Sequence, residues 1–183
     1  MEHGILCHNL ISDVLEHTSV AMETAQEKRA HIKLPDGAAL HDFANVYFHA
    51  RNPMLYLRRA EAPNLSILRV SQEILKIKGV WVSDGNAASA QYTKFFKPEE
   101  MHEHLNFEWI YAERWSDGFS SFGSPRKLAK CAEVLVPVEI PPQYLQGAYV
   151  VNKISKQKME ASGFDLPIQV NPYMFFKGDK KPA

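Results

Sequence analysis

The sequence predicts a mixed α+β domain around a central, partly antiparallel sheet. Three observations lead there. Short apolar runs of strand character are interspersed with short helical segments, no βαβ period repeats along the chain, and 183 residues, 45% of them hydrophobic, suffice for one domain with a true core. Residues 1–183 therefore read as a single unit, without heptads, internal repeats or a low-complexity linker.

From residue 19 to 31, Met22, Ala25, Gln26 and Arg29 recur at helical spacing, which sets Arg29 on the less polar stripe. "LPDGAAL" is a turn. "ANVYFHA" alternates as a strand, with Val46 and Phe48 on one face and Tyr47 on the other. In "RNPMLYLRR", Asn52 suits the N-cap and Pro53 the first helical position, so Arg51 falls at a strand-to-helix junction. "LSILRV" is the next strand, "SQEILKIK" a short helix capped by Ser71, and "GVWVSDGN" a strand ending in a turn. Residues 98–115 read as helical, opened by Pro98 and two acids that suit the helix dipole. The Gly/Ser loop "SDGFSSFGSP" carries Phe119 and Phe122, either to stack on an unpaired base or to anchor the loop. The strand in "RKLAKCAEVLVPVEI", a strand "GAYVV", a helix "KISKQKMEASG" and a strand "PIQVNPYMFF" complete the order.

Charge narrows the partners. Lys+Arg 21 balance Asp+Glu 21, which excludes a polybasic binder held mainly by phosphate neutralisation. A nucleic acid would need a local patch, drawn from Arg51, Arg58, Arg59 and Lys94. Cys7 and Cys131 lack CxxC spacing, so neither a zinc site nor a disulfide framework is indicated. No run approaches the roughly 20 apolar residues of a membrane span, and the N-terminus lacks signal-peptide character; the expectation is a soluble cytoplasmic protein without a membrane partner. The opening "MEHGILCHN" enters a patterned segment at once, as a start inside a domain would.

Within "CAEVLVP", strand alternation puts Cys131, Glu133 and Leu135 on one face and Ala132, Val134 and Val136 on the other. An unpaired carboxylate is costly to bury, so Glu133 needs a partner, a wet cleft or a chemical task. A strand-edge residue paired with Lys or Arg is one reading, and a reaction centre the other. His41 and Asp42 read as a turn pair, because no serine or cysteine nucleophile motif accompanies them.

Four strings occur in an order that resembles the DarT family: "AQEKRAH" (25–31), "LHDFANVYFHARNPMLY" (40–56), "VWVSDGNAAS" (80–89) and "KCAEVLVP" (130–137). Its members are bacterial toxins that transfer ADP-ribose from NAD onto a base of single-stranded DNA. The likeness runs from about Gly4 to the Glu133 strand and is weaker in the last 40 residues. It implies the ADP-ribosyltransferase type of fold, NAD as donor, no metal, and an antitoxin partner that removes ADP-ribose, a macrodomain or similar hydrolase. The family's catalytic glutamate falls on Glu133 and the arginine beside it on Arg29. His8 and Asn9 of "GILCHN" fall on the NAD side with Arg29, Arg51 and Met54 on the base side, and Asn86 where some relatives have histidine. Lys94 joins the expected DNA contacts. Thymine and guanine are both open as the acceptor base. The family's first strand and helix, which carry a His-containing NAD segment, are expected to be missing. NAD would then bind weakly, and a groove bordered by residues 4–9 and Arg29 would open on the Glu133 face. The alternatives are a truncated, non-catalytic binder of single-stranded nucleic acid and a transferase acting on RNA or protein.

The chemistry fits these residue types. Breaking the nicotinamide–ribose bond leaves a sugar with oxocarbenium character, which a carboxylate stabilises. The attacking base must lose a proton, which a desolvated glutamate can accept. Arginine's planar fork suits either that carboxylate or a phosphate. Deleting a desolvated acid from an apolar strand is expected to cost little stability.

Overall fold

The computed structural model describes residues 3–14, 23–115 and 124–178; Phe119 and Phe122 lie outside them. The strands are β1 (Ile5–Leu6), β2 (Phe43–Tyr47), β3 (Ser66–Val70), β4 (Trp81–Ser83), β5 (Phe95–Phe96), β6 (Glu133–Pro137), β7 (Glu139–Ile140), β8 (Leu145–Val150) and β9 (Ile168–Val170). The α-helices are α1 (His8–Val14), α2 (Glu23–Ala30), α3 (Pro53–Leu57), α4 (Met101–His104), α5 (Phe107–Tyr111), α6 (Pro125–Ala129) and α7 (Lys153–Ala161), with 3₁₀ turns between them. The mixed α+β class is as the sequence predicts. The strands divide, however, into a β1–β7 pair, a four-stranded antiparallel sheet in the order β2-β6-β4-β5, and a sheet β3-β8-β9 whose β8–β9 pair is parallel. One cause lies at the end of β6. Pro137 has no N–H to donate, and Val138 adopts a positive φ of 67° that turns the chain, so Ile140 and Glu139 leave β2 and pair with Ile5 and Leu6. Gly4 permits that pairing, because a Cβ there would fall 1.8 Å from the Ile140 carbonyl oxygen.

The central strand β6 carries the site. Tyr47 and Ser83 flank Glu133 in register, and Asn45 and Trp81 flank Leu135. Paired residues share a face. One face therefore bears Asn45, Tyr47, Ser83, Glu133 and Leu135, and the other Ala44, Val46, Val82, Val134 and Val136, as alternation predicts. The second face packs on Ile74, Val80 and Ile140, and further along on Phe96, Leu105 and Ile110. Leu34, Leu40, Phe43, Trp81, Ala87 and Leu135 seal the first. A strand covered on both faces reads as a near-continuous apolar run, which explains the composition of "CAEVLVP" and the isolation of its one charge.

Several local expectations hold in detail. The Asn52 side chain accepts from the Leu55 N–H at 3.0 Å with Pro53 in the first turn, and the Ser71 hydroxyl accepts from Glu73 N–H at 3.2 Å. Asn52 is 1% exposed and its amide also donates to the His49 carbonyl. Asn52→Ala is therefore expected to lower stability by about 1–2 kcal/mol, read as a reduced denaturant midpoint at unchanged m-value.

Two expectations are corrected. Residues 98–115 do not form one helix: Leu105 is extended (φ −92°, ψ 131°), and the Asn106 side chain accepts from Trp109 N–H at 2.9 Å, starting a new helix. An asparagine that can cap competes with helix continuation. In "PIQVNPYMFF" only Ile168–Val170 is strand; Pro172 then opens a 3₁₀ turn, Pro172–Phe175.

Candidate active site

Glu133 is 0% exposed and its carboxylate is held at both oxygens. Asn45 Nδ2 donates to Oε2 at 2.7 Å, Arg29 Nη2 donates to the same oxygen at 3.3 Å, and the Ala87 backbone N–H donates to Oε1 at 3.1 Å. Arg29 comes from α2, Asn45 from β2, and Ala87 from the 3₁₀ turn after β4. The turn is fixed in its own right: Glu133 N–H donates to Ser83 Oγ at 3.2 Å, and that hydroxyl donates to the Gly85 carbonyl at 2.8 Å. Donors aimed at both oxygens match an ionised carboxylate, which only accepts. Such a group accepts about four hydrogen bonds. Three are in place among the described residues.

A cleft of about 1140 Å³ lies over this cradle. Arg29, Asn45, Tyr47, Asn86, Met54 and Tyr149 are among the residues that line it, together with Val46 and Val134 of the other face. Of the expected groove border, Ile5 and Arg29 lie on its wall. Glu133 itself is not on the cleft wall, but Arg29, which donates to it and is 11% exposed, is. Met54 is 44% exposed. Asn86 is at the wall, with its side-chain oxygen accepting from Ala88 N–H at 2.8 Å.

The remaining sequence-nominated residues lie off the cleft walls. The His8 ring packs on His41, with centroids 4.2 Å apart, and Asn9 Nδ2 donates to Asp42 at 2.7 Å. Arg51 is clamped between the rings of Tyr173 and Phe176, 3.8 and 4.5 Å from their centroids, and its guanidinium donates to the Tyr173 carbonyl. Lys94 is exposed, and its backbone N–H donates to Asp84 at 2.8 Å.

Sequence reasoning missed Asn45 and the Ala87 N–H, and two titratable groups neighbour the carboxylate. Burial, reinforced by Glu133, drives the Tyr47 hydroxyl pKa far upward, and the same pair of causes pushes the Cys131 thiol up to about 12. Both stay protonated near neutrality, so neither is a nucleophile. Burial lowers the His41 pKa, helped by His8 and Arg29, so this imidazole is neutral. Gln26 Oε1 and His41 Nε2 are buried without hydrogen-bond partners among the described residues.

A family model described as ssDNA thymidine ADP-ribosyltransferase, DarT, matches residues 1–176. The chain is similar to the DNA ADP-ribosyl transferase–DNA ADP-ribosyl glycohydrolase fusion protein of Thermosipho africanus (strain H17ap60334), at 32% identity over 96% of this chain and 46% of that protein. It is also similar to the DNA ADP-ribosyl transferase of Thermus sp. (strain 2.9), at 28% identity over 62% of this chain and 58% of the relative. The chain thus spans about half the length of these curated relatives. The solved structure of Thermosipho africanus DarTG in complex with ADP-ribose superposes with a TM-score of 0.81 at 29% identity, over 96% of this chain and 47% of that one. Thermus sp. 2.9 DarT in complex with ADP-ribosylated ssDNA, at 22% identity, shares the fold with a TM-score of 0.78 over 94% of this chain and 87% of that one. With a family match that runs nearly end to end, the chain belongs to the DarT family.

Proposed function

We propose that this chain transfers ADP-ribose from NAD onto a thymidine base of single-stranded DNA, with Glu133 as the reacting carboxylate. The observation that carries the reading is a fully buried glutamate whose two carboxyl oxygens are held by Arg29, Asn45 and the Ala87 amide beside a large cleft. A structural ion pair would not need a cavity beside it. Gln26 Oε1 and His41 Nε2, without partners among the described residues, fit a polar ligand, and Gln26 lines the cleft. An amide or a sugar hydroxyl of NAD would satisfy both.

Bound NAD supplies a ribosyl carbon that gains positive charge as nicotinamide departs. Glu133 opposes that charge from a site of low dielectric, where one negative charge acts strongly. Its carboxylate takes the proton that the base gives up. To reach the reacting groups, Glu133 must be uncovered, and the Arg29 contact, the longest of the three at 3.3 Å, is the one that yields. Arg29 is then free to engage an NAD phosphate. Asn45 and the Ala87 N–H keep the carboxylate from turning. Met54 and Asn86, both on the cleft wall, contact the DNA base side, while Arg51 anchors the chain just before α3, the helix that carries Met54. His8 acts through His41, and Asn9 through the Asp42 turn. Lys94 supplies positive charge for the strand, whereas Arg58 is paired with Glu61 at 2.6 Å.

In the cell the activity would act in the cytoplasm as a toxin, opposed by a hydrolase that removes ADP-ribose. The fusion of transferase and glycohydrolase in the Thermosipho africanus relative supports that pairing. Among the described residues no helix is long and apolar enough to cross a membrane.

The test is incubation with NAD and, separately, single-stranded DNA, duplex DNA, RNA and a protein mixture, read by mass spectrometry. One ADP-ribosyl unit added to single-stranded DNA alone is expected. Modification of RNA or protein with none on DNA would overturn the reading. Because the formal net charge is zero, DNA binding is also expected to fall only shallowly with salt, and a steep slope in a fluorescence titration would contradict the patch assigned here.

A further inference from the structure

Among the described residues, the walls of the cleft carry the cations Arg29, Arg58, Arg69 and Lys127, and neither aspartate nor glutamate. Arg29 is bound to Glu133 and Arg58 to Glu61. No carboxylate among the described residues pairs with Arg69 or Lys127. The other cations that the sequence offers to a nucleic acid lie off the walls: Arg51 in its aromatic clamp, Arg59 over the Tyr56 ring, and Lys94 beside the Asp84 turn.

Each of the two uncommitted cations has an aromatic residue near it on the cleft wall. The Arg69 guanidinium, on the edge strand β3, lies 5.5 Å from the ring centroid of Tyr149 on β8. Its register partner is Gly147, so no side chain stands opposite Arg69 on that face. A Cβ at Gly147 would fall 2.3 Å from the Pro167 carbonyl oxygen, which keeps that position bare. Lys127 is exposed on α6, and Tyr111 belongs to α5, which packs against α6. Tyr111 is 53% exposed, so much of its surface is available to a ligand.

Cations that track phosphates, interleaved with rings on which unpaired bases stack, are the means by which single strands are held. We propose that Arg69 and Lys127 contact two phosphates of the DNA strand and that Tyr111 stacks on a base flanking the modified thymidine. The inference rests on the transfer to single-stranded DNA proposed above and names the residues that hold the strand. The Arg69 fork gives parallel N–H donors to two oxygens of one phosphate, with the Tyr149 ring steadying it, whereas Lys127 acts as a point charge. The diphosphate of NAD offers the same chemistry. It is joined to the reacting ribose, however, and so belongs beside Glu133, where Arg29 stands. Two uncommitted cations also agree with the shallow salt dependence expected of a chain with zero net charge.

The measurement is fluorescence anisotropy of a labelled single-stranded oligonucleotide containing one thymidine, titrated without NAD over a range of salt. On a single strand each phosphate contact adds about 0.7 to the slope of log K against log salt. Arg69→Gln and Lys127→Gln are each expected to lower the slope by about 0.7, and the double variant by about 1.4. Arg69→Lys should keep the slope. Tyr111→Ala should weaken binding about tenfold at every salt concentration and leave the slope unchanged. NAD affinity, read by calorimetry, should be the same in every variant. An unchanged slope in either glutamine variant would overturn the contact assigned to that residue, and parent-like affinity in Tyr111→Ala would overturn the stacking. Weaker NAD binding with an unchanged DNA slope would give the cations to the donor's diphosphate and overturn the proposal. Should a variant fail to fold, the parent decides with an oligonucleotide of uncharged methylphosphonate linkages: it should bind more weakly and with less salt dependence than the native strand, and equal affinity would overturn the phosphate contacts. The outcome is separable from that of transfer. A parent that shows these slopes but adds no ADP-ribose would sink the functional reading and leave the strand contacts standing, whereas transfer with unchanged slopes would do the reverse.

Discussion

Glu133→Gln is expected to lower ADP-ribose transfer by about a thousandfold or more, the scale on which removing a preorganised charge from a reaction centre acts. The swap keeps size and one acceptor oxygen but brings an NH₂ group into a cradle built of donors. Asn45 and Arg29 converge on Oε2 and the Ala87 N–H on Oε1, so either amide orientation sets a donor against a donor. The stability cost should be about 1–3 kcal/mol. Glu133→Ala should cost more, about 3–5 kcal/mol, because it orphans all three donors and leaves Arg29 as a nearly buried, unpaired cation. This reverses the sequence-based expectation that deleting the acid is nearly free. That expectation treated the carboxylate as strained in apolar surroundings, whereas the fold supplies it with partners from three separate elements. Chemical denaturation of the two variants beside the parent, with transfer measured on the same samples, checks both numbers. A Glu133→Ala protein as stable as the parent would show that the cradle contributes nothing to the fold.

The second large effect belongs to Arg29. Arg29→Met removes the only cation hydrogen-bonded to Glu133 among the described residues, leaving a buried carboxylate with two neutral donors. Breaking one partner of a buried pair typically costs about 3–5 kcal/mol, and the 3.3 Å contact together with the 11% exposure of Arg29 argues for the lower end. Transfer should fall about a hundredfold. Arg29→Lys keeps the charge but not the planar fork, so it should recover stability better than activity. The pair can be tested by a cycle. Adding Glu133→Gln to Arg29→Met should restore part of the lost stability, because the uncompensated charge is removed. Strictly additive losses would mean that the two side chains do not interact.

What the sequence revealed, and what it hid, follows from the range over which each signal acts. Glu133 was legible because a lone charge in an apolar strand is conspicuous. The cap at Asn52 and Pro53 was legible because capping is local. Asn45 was not. An amide at a polar position of an alternating strand looks like a solvent-facing residue, and only the β2–β6 register, which sets Asn45 against Leu135 and Tyr47 against Glu133, brings it to the carboxylate. The Ala87 N–H carries no side-chain signal at all. Lys130 reads as a solvated turn lysine until Ala112, His49 and Trp115 close around it from distant parts of the chain. Arg51 was nominated for the base, yet its partners Tyr173 and Phe176 lie 122 and more residues away in sequence, and no periodicity could announce that clamp. The helix expected over 98–115 broke because Asn106 offers a cap where the pattern suggests continuity.

The most direct test of the central claim, that the Glu133 cradle transfers ADP-ribose to thymidine, uses a single-stranded oligonucleotide containing one thymidine. The parent protein and Glu133→Gln are each incubated with it and NAD, and the products are fragmented in the mass spectrometer to locate the adduct. The account predicts one ADP-ribosyl unit on that thymidine with the parent, none when thymidine is replaced by cytidine, and none with Glu133→Gln. An adduct on another base, or equal modification by Glu133→Gln, would contradict it.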